Sequence, residues 1–257
     1  MIIADVLVID VKIVAEGTRV LTFVSPDIAK STLPGQFVNI RVHSGTDPLL
    51  RRPFSVSRVE GDHVEILFNV IGIGTDMLAR KRPGDMINVL GALGVPYGIH
   101  GDFKNALLIA GGLGVAPMPI LTSLLKSAGK HVETFLGARS ALHLAVDHLQ
   151  NVHVATDDGS KGFHGNVVRL TEGYLKEHPA RSAKIFACGP TRMLSAVSSF
   201  ALSAGIECEI SLEGEMACGI GICQGCPVER AGWQKKYALV CTEGPTFHCQ
   251  DIKLQEA

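Results

Sequence analysis

The sequence lacks a charge imbalance and is poor in aromatic residues. Its 257 residues include 24 Lys and Arg against 25 Asp and Glu, a formal net charge of −1, and aromatic residues make up only 5%. Binding to nucleic acid or to an anionic membrane surface needs clustered basic charge, and base stacking needs aromatic rings. We therefore expect no nucleic acid and no membrane among the partners.

The start of the chain also lacks the features of a secretory signal. The segment "MIIADVLVID" has no basic residue ahead of its apolar run, and Asp5 interrupts that run. Residues 105–125 are uncharged, but glycines and prolines in their middle favour a buried strand, a glycine turn and a helix over a membrane span. We expect a cytoplasmic protein, and in that reducing compartment clustered cysteines more often bind metal or perform redox chemistry than form disulfides.

Three regions follow one another along the chain. Residues 1–101 contain short alternating runs such as "TRVLTFVS" and "HVEILFNV" between turn residues, which predict an antiparallel β-barrel whose only helical turn is "TDMLARKRPGD". Residues 102–210 alternate strands with helices, which predicts a parallel sheet in an α/β domain. Residues 211–257 are rich in Cys and Gly and too few to form a core without a metal or other cross-link.

The segment "CGIGICQGC" carries the most specific signal. Cys218, Cys223 and Cys226 have the spacing C-x4-C-x2-C, and Cys241 follows, which is the plant-type spacing for a [2Fe–2S] cluster. The intervening glycines allow the tight bends that aim backbone N–H groups at the sulfur atoms. Structural zinc remains an alternative, although zinc sites usually have C-x2-C pairs on both sides. Of the cysteines outside this pattern, we expect Cys208 to be a small core residue and Cys249 an incidental thiol.

Two further motifs are typical of nucleotide binding. "IAGGLGVAPM" places Gly112 and Gly114 between a strand and a helix, where free N–H groups can bind phosphate. "ACGP", with Cys188, ends a later strand of the same predicted sheet, at the edge where ligands of α/β domains bind. Ordinary turns at both places remain an alternative, and "GARS" after the second strand leaves the choice between NAD and NADP open.

The third candidate site lies in the predicted barrel. In "RRPFSVS", Arg52, Phe54 and Ser55 offer groups that bind a diphosphate, stack on a planar ring and hydrogen-bond its edge. "NVIGIGTDML" adds Gly74 and Thr75 before a helical turn, a second possible diphosphate site.

Together these motifs resemble the ferredoxin–NADP reductase superfamily. With "MACGIGICQGCPV" and "VCTEGPTF", the whole chain is similar to the electron-transfer subunits of the bacterial, NAD-dependent (class 1B) dihydroorotate dehydrogenases. The resemblance implies an FAD-binding barrel at 1–101, an NAD(H)-binding domain at 102–210 and a [2Fe–2S] domain at 211–257. Phe54 stands where the superfamily has tyrosine, so a phenol hydrogen bond is lost while stacking remains.

The resemblance also implies roles for individual residues. The cluster ligands would be Cys218, Cys223, Cys226 and Cys241, and Gly112, Gly114 and Cys188 would lie near the pyridine nucleotide. Ser55 and Cys188 are candidates for tuning the flavin and nicotinamide, and no general acid or base is assigned. The residues expected to contact FAD are Arg52, Pro53, Phe54, Ser55, Asn69, Val70, Ile71, Gly74 and Thr75.

The implied function is an oxidoreductase step in pyrimidine biosynthesis. Electrons would come from an FMN-containing catalytic subunit that oxidises dihydroorotate, in an α2β2 heterotetramer, and would pass through [2Fe–2S] and FAD to NAD⁺. An alternative is the FAD and [2Fe–2S] subunit of an NADH-dependent ferredoxin–NADP transhydrogenase or of a related hydrogenase. The transhydrogenase type tends to have Asp at the first cluster position, where this chain has Cys218. A zinc-binding scaffold without catalysis is a third alternative.

Overall fold

The computed structural model describes residues 1–179, 181–232 and 235–254. The N-terminal region forms a closed barrel, as predicted. Its six antiparallel strands follow one another around the barrel in the order β1-β2-β5-β4-β3-β6. Their bounds are β1 (Ile2–Ala15), β2 (Thr18–Val24), β3 (Phe37–Arg41), β4 (Arg52–Glu60), β5 (His63–Asn69) and β6 (Met86–Leu93).

Two short helices accompany the barrel. The predicted one is α2 (Ile73–Ala79), which begins within "IGIG", two residues before the predicted "TDMLARKRPGD". A second, α1 (Pro26–Ser31), contradicts the prediction of a single helical turn in this region. With only six residues α1 has no periodic apolar stripe to reveal it, although Pro26 and Asp27 in its first turn are typical helix-start residues.

The second region forms the predicted α/β domain. Strands β7 (Asn105–Gly111), β8 (His131–Ala138), β9 (Val152–Thr156), β10 (Phe163–His164), β11 (Ala183–Cys188) and β12 (Glu207–Ser211) are parallel and follow the order β10-β9-β8-β7-β11-β12. The helices are α3 (Met118–Ser127), α4 (Val167–Glu177) and α5 (Thr191–Ala204). The uncharged stretch 105–125 is thus β7, a turn and most of α3, and none of the helices among the described residues is long and apolar enough to cross a membrane.

Pro190 and Gly205 flank the two ends of helix α5. Gly205 ends it in the left-handed conformation with φ 64°, as expected for a terminal glycine. The residue before the helix is Pro190, which makes no side-chain cap, so Thr191 begins the helix instead of capping it. Proline tolerates this place because the first N–H groups of a helix have no intrahelical acceptor.

The C-terminal region is short of regular structure but is attached to the parallel sheet. It contains β13 (Pro227–Glu229) and β14 (Tyr237–Leu239), which pair with each other, and β15 (Thr246–His248). Strand β15 pairs antiparallel with β12 and so becomes the seventh strand of the sheet. The cysteine-rich segment between β12 and β15 is therefore held at both ends on the edge of the α/β domain.

Candidate functional site

A cleft of about 990 Å³ of empty space, open to solvent, lies where the barrel, the parallel sheet and the C-terminal region meet. Barrel residues form one wall, the glycine turn after β7 and Cys188 form another, and residues 211–216 with Pro245 close a third side. Seven of the nine residues predicted to contact FAD line this cleft: Arg52, Pro53, Phe54, Ser55, Asn69, Ile71 and Thr75.

The remaining two predicted residues lie beside the lining. Val70 packs against the barrel core. Gly74 lies against the Arg52 side chain, and a Cβ atom at position 74 would come within 3.2 Å of Arg52 Nε. A glycine at this position therefore lets the guanidinium group lie across the start of α2.

The Arg52–Ser55 stretch is held by the first half of β4. Phe54 is buried, and its ring centroid lies 5.6 Å from that of Phe68, with the rings tilted by 59°. The Arg52 guanidinium donates to the carbonyl oxygen of Leu50 at 2.7 Å. These contacts orient an aromatic side chain and a cation on the same wall of the cleft.

The turn before α2 is less open than the sequence suggests. The backbone N–H groups of Ile71 and Gly72 donate to Thr75 Oγ1 at 3.0 and 3.1 Å. Thr75 thereby caps the helix it belongs to, and these two N–H groups have a partner within the chain.

The two glycine motifs of the α/β domain touch each other. Strands β7 and β11 are neighbours, and a Cβ atom at position 114 would lie 2.1 Å from the carbonyl oxygen of Cys188. Gly112 has φ 54° and open space where a side chain would be. Gly114 is therefore required by packing, whereas Gly112 keeps the edge of the sheet accessible.

Two residues of this site carry no signal in the sequence. Glu213 is exposed in the cleft, and the walls around it withdraw solvent and raise the pKa of its carboxyl group. Burial, and secondly Glu213, raises the pKa of the Cys188 thiol. Buried Tyr97 donates from its hydroxyl to the carbonyl oxygen of Ala187 at 2.9 Å, and so holds the link after the barrel against β11.

The four cysteines of the C-terminal motif lie together as two pairs. The N–H group of Cys223 lies 3.4 Å from Cys218 Sγ, and the N–H group of Cys241 lies 3.4 Å from Cys226 Sγ. Two groups of two thiols match the needs of two irons, each with two cysteine ligands, whereas one zinc ion needs four ligands around a single centre. The donor set and its grouping therefore fit a [2Fe–2S] cluster better than zinc.

Backbone N–H groups surround these sulfur atoms. Cys218 Sγ accepts from the N–H groups of Ile220 and Cys223, and Cys223 Sγ accepts from Gly225, each at 3.4 Å. The N–H group of Cys241 points to Cys226 Sγ, also at 3.4 Å. Such bonds stabilise thiolates, which are the form that binds iron.

The pKa values of two of these thiols move in opposite directions. Burial acts to raise the pKa of Cys218, but the N–H groups of Cys223 and Ile220 outweigh it and lower the pKa to about 6. Burial, followed by the hydrogen bond with Cys226, raises the pKa of Cys241 to about 11.

The glycines of the loop satisfy steric needs. Gly219 and Gly221 have φ of 74° and 83°, in the left-handed region. A Cβ atom at position 219 would lie 2.6 Å from Asn39 Nδ2, and one at position 221 would lie 3.0 Å from Thr242 Cγ2. The loop can therefore pack on the barrel and on residue 242 only with glycine at these positions.

Comparison with known proteins identifies the C-terminal region and the whole chain. Residues 213–253 match the family model described as the iron-sulfur cluster binding domain of dihydroorotate dehydrogenase B. A protein of Desulforamulus reducens named "Dihydroorotate dehydrogenase B (NAD(+)), electron transfer subunit" is 37% identical over 252 residues, which cover 95% of each chain. The chain belongs to this family of electron transfer subunits.

Other members are similar over the same length. A relative from Bacillus caldolyticus with the same name is 34% identical over 95% of each chain. The protein is thus an electron transfer subunit of an oxidoreductase.

Solved structures share the fold. An NADH-dependent reduced ferredoxin-NADP oxidoreductase, described in work on flavin-based electron bifurcation, matches with a TM-score of 0.84 and 30% identity over 98% of this chain and 90% of that chain. The ferredoxin NADP⁺ reductase of Neisseria gonorrhoeae, solved with bound FAD and NADP, matches 79% of this chain and 92% of that chain with a TM-score of 0.65 and 17% identity. The fold predicted for this chain, a barrel followed by a parallel-sheet domain and an iron–sulfur domain, is therefore confirmed.

Proposed function

We propose that this electron transfer subunit accepts electrons from a partner chain that oxidises dihydroorotate and delivers them to NAD⁺, a step of pyrimidine biosynthesis. One observation carries the proposal. Asn39 pairs with Pro53 across strands β3 and β4, and its side-chain amide donates to the carbonyl oxygen of Cys218 at 3.2 Å. The residues proposed to hold a flavin and those proposed to hold a cluster are thus separated by one side chain, which suits electron transfer between the two groups.

The cofactors would supply the redox chemistry. Bound FAD exchanges a hydride with a nicotinamide and single electrons with a [2Fe–2S] cluster, so the protein has to bind the groups and orient them. We propose that Cys218, Cys223, Cys226 and Cys241 ligate the cluster. The FAD site would consist of Arg52, Pro53, Phe54, Ser55, Asn69, Val70, Ile71, Gly74 and Thr75.

Each part of the cleft has a task in this proposal. The Arg52 guanidinium neutralises a diphosphate, Phe54 packs against a planar ring, and Ser55 hydrogen-bonds its edge. Gly112 leaves the edge of the sheet open to a pyridine nucleotide, and Gly114 lets the turn pack against Cys188. We assign residues 1–101 to FAD, 102–210 to NAD(H) and 211–257 to the cluster.

The partner is proposed to be an FMN-containing catalytic subunit, with two copies of each chain in the complex. The cluster loop offers a docking surface, because Ile222 is 77% exposed between Cys218 and the exposed Cys223. We place the complex in the cytoplasm, where the seven free thiols of the chain would stay reduced.

The test compares Cys223→Ser with Cys208→Ser in the cofactor-loaded protein. Cys223→Ser should lose the visible absorbance of the cluster and the reduction of NAD⁺ by dihydroorotate with the cognate partner, while NADH–dye turnover persists. Cys208→Ser, outside the cysteine motif, should retain all three under reducing conditions. Full coupled turnover by Cys223→Ser would contradict the proposed electron route.

The likeness to the NADH-dependent ferredoxin-NADP oxidoreductase supports a second candidate, a subunit that exchanges electrons with ferredoxin. The same preparation distinguishes the two. Reduction of NADP⁺ by reduced ferredoxin, without turnover of dihydroorotate in the presence of the cognate partner, would favour this alternative.

A further inference from the structure

Two cysteines outside the cluster motif face each other across the sheet edge. Strands β12 and β15 pair antiparallel in the register Glu209↔His248, Ile210↔Phe247 and Ser211↔Thr246. Continued by one residue, this register places Cys208 opposite Cys249. Both side chains are buried, at 3% and 7% exposure, in the same apolar cluster. Cys249 directly follows β15, as the first residue of a short 3₁₀ helix, so the two cysteines lie at the same end of the paired strands.

The two sulfur atoms interact. Cys249 packs with Cys208 in this apolar cluster, and the Ser198 hydroxyl donates to the carbonyl oxygen of Leu194 at 2.7 Å. The neighbouring Cys208 thiol lowers the pKa of Cys249 to about 7 despite burial, and the same interaction raises the pKa of Cys208. Two neighbouring thiols of unequal acidity are the arrangement of an attacking and a resolving cysteine.

Cys208 and Cys249 flank the cluster-binding segment of the chain. The segment between Cys208 and Cys249 contains all four candidate cluster ligands, Cys218, Cys223, Cys226 and Cys241. Among the described residues, the pairing of β12 with β15 is the strand contact that joins the C-terminal region to the parallel sheet. A covalent bond between residues 208 and 249 would therefore close a loop around the whole cluster-binding segment.

We propose that Cys208 and Cys249 form a redox-active dithiol, which peroxide converts to an internal disulfide that ties the cluster-binding segment to the α/β domain. The Cys249 thiolate attacks one peroxide oxygen, the O–O bond breaks, and the other oxygen leaves as hydroxide or alkoxide, which takes up a proton. The resulting sulfenic acid reacts with the Cys208 thiol, the S–S bond forms and water leaves. Two thiols lose two electrons and two protons in total, and the peroxide is reduced by two electrons.

The disulfide would act when the cluster is lost. Oxidants that destroy an iron–sulfur cluster would leave the glycine-rich loop without its cross-link, and a segment of this size has too small a core to stay folded alone. The disulfide restricts the unfolded conformations of that segment and keeps its ends on the sheet until iron and sulfide return. This consequence rests on the proposed cluster ligands, whereas the dithiol chemistry does not.

The experiment treats the full-length, cofactor-loaded protein with hydrogen peroxide and then blocks free thiols with N-ethylmaleimide. Digestion without reductant uses trypsin together with a glutamate-specific protease, which cut after Glu209, Glu243 and Lys253 and so separate Cys208 and Cys249 from the cluster cysteines. We expect the 244–253 peptide to be joined to the fragment that carries Cys208, with a mass two hydrogens below the sum. Dithiothreitol should separate the two fragments.

Internal and variant controls complete the assignment. Cys188 is equally buried but lies opposite Ser211 in the sheet, so it should remain a free thiol throughout. Cys208→Ser and Cys249→Ser should each abolish the cross-link while their cluster absorbance before oxidation matches the parent. Cys249 labelled with N-ethylmaleimide in the parent, after peroxide has bleached the cluster, would overturn the inference.

A second measurement tests whether the disulfide preserves the cluster-binding segment after the cluster is lost. After bleaching and removal of peroxide, reconstitution with iron and sulfide should recover several-fold more cluster absorbance in the parent than in Cys249→Ser. Equal recovery in both would overturn the protective role even if the disulfide forms. A protein that never binds iron would defeat the proposed function, but the peptide map would still decide whether the dithiol is redox-active.

Discussion

The side-chain amide of Asn39, on a barrel strand, donates to the backbone carbonyl oxygen of Cys218, in the cysteine loop, at 3.2 Å. Asn39 is completely buried, and its Oδ1 atom has no hydrogen-bond partner among the described residues. The contact joins positions 179 residues apart and holds the loop on the barrel.

Replacing Asn39 should therefore loosen the cysteine loop. Asn39→Ala removes the donor from a partly buried carbonyl oxygen, which costs about 1 kcal/mol, and we expect faster loss of cluster absorbance in the presence of an iron chelator. Asn105→Ala is the matched control, because Asn105 Nδ2 donates to the carbonyl oxygen of Arg181 at 2.8 Å on an exposed edge of the α/β domain. Equal rates of cluster loss in the two variants would show that the Asn39 contact does not hold the loop.

Gly114 should tolerate no side chain. In Gly114→Ala the new methyl group would meet the Cys188 carbonyl oxygen at 2.1 Å, so β11 and the glycine turn must move apart. We expect a loss of about 3 kcal/mol or more in the free energy of unfolding, measured in urea. Gly173→Ala, in α4 with nothing within 4 Å of the new atom, should be neutral or stabilising. Similar stability of both variants would contradict this packing.

The buried ion pair at the sheet edge should be costly to break. Lys184 Nζ lies 2.7 Å from Glu209 Oε1, with side-chain exposures of 4% and 9%. Lys184→Met leaves a buried carboxylate without its cation, and we expect a loss of about 3–5 kcal/mol. The control is Lys253→Met, because Lys253 pairs with Glu229 at 2.7 Å with its own side chain 54% exposed, and it should cost less than about 1 kcal/mol. Thermal unfolding of both variants would be measured, and equal midpoints would refute the difference.

Glu213 should make stability depend on pH. Restricted solvent raises the pKa of its carboxyl group in the folded state above the value of the unfolded chain. The folded protein then binds more protons, so its stability falls as pH rises through the interval between the two pKa values. Glu213→Gln removes this dependence and should be more stable than the parent at pH 7 by less than about 1 kcal/mol, because the side chain is exposed in the cleft.

The check is the difference in unfolding midpoint between Glu213→Gln and the parent from pH 4 to pH 8. The advantage of the variant should disappear at the acid end, where the parent carboxyl is protonated in both states. A difference that stays constant over this range, or that grows toward acid, would assign the effect to something other than the ionisation of Glu213.

Much of the fold could be predicted from local patterns. Alternating runs indicated the barrel, and the strand–helix alternation indicated the parallel sheet. Each element buries one face, and the spacing of its apolar residues reflects that face. Helix α1 was missed because six residues are too few for a period to appear. Helix α4 also received no prediction.

Some residues of the candidate sites could be predicted from the sequence, and others could not. The roles predicted for Arg52, Phe54 and the four cysteines remain predictions, but seven of the nine predicted flavin contacts line one cleft. Glu213, Asn39 and Tyr97 could not be predicted, because a single Glu, Asn or Tyr has no local pattern that marks it as part of a site. Cys249, expected to be an incidental thiol, lies buried in the same apolar cluster as Cys208, and its role remains a prediction.

By itself, the amino-acid sequence determined the features that depend on residues close together in the chain. Examples are the C-x4-C-x2-C spacing and the glycines that bend the loop. Only the tertiary structure decided which distant segments meet, such as Asn39 with Cys218 and Cys208 with Cys249. The physical reason is the separation of the residues along the chain. Backbone geometry restricts neighbours in the chain directly, whereas contacts between distant residues depend on how all the buried surfaces pack together.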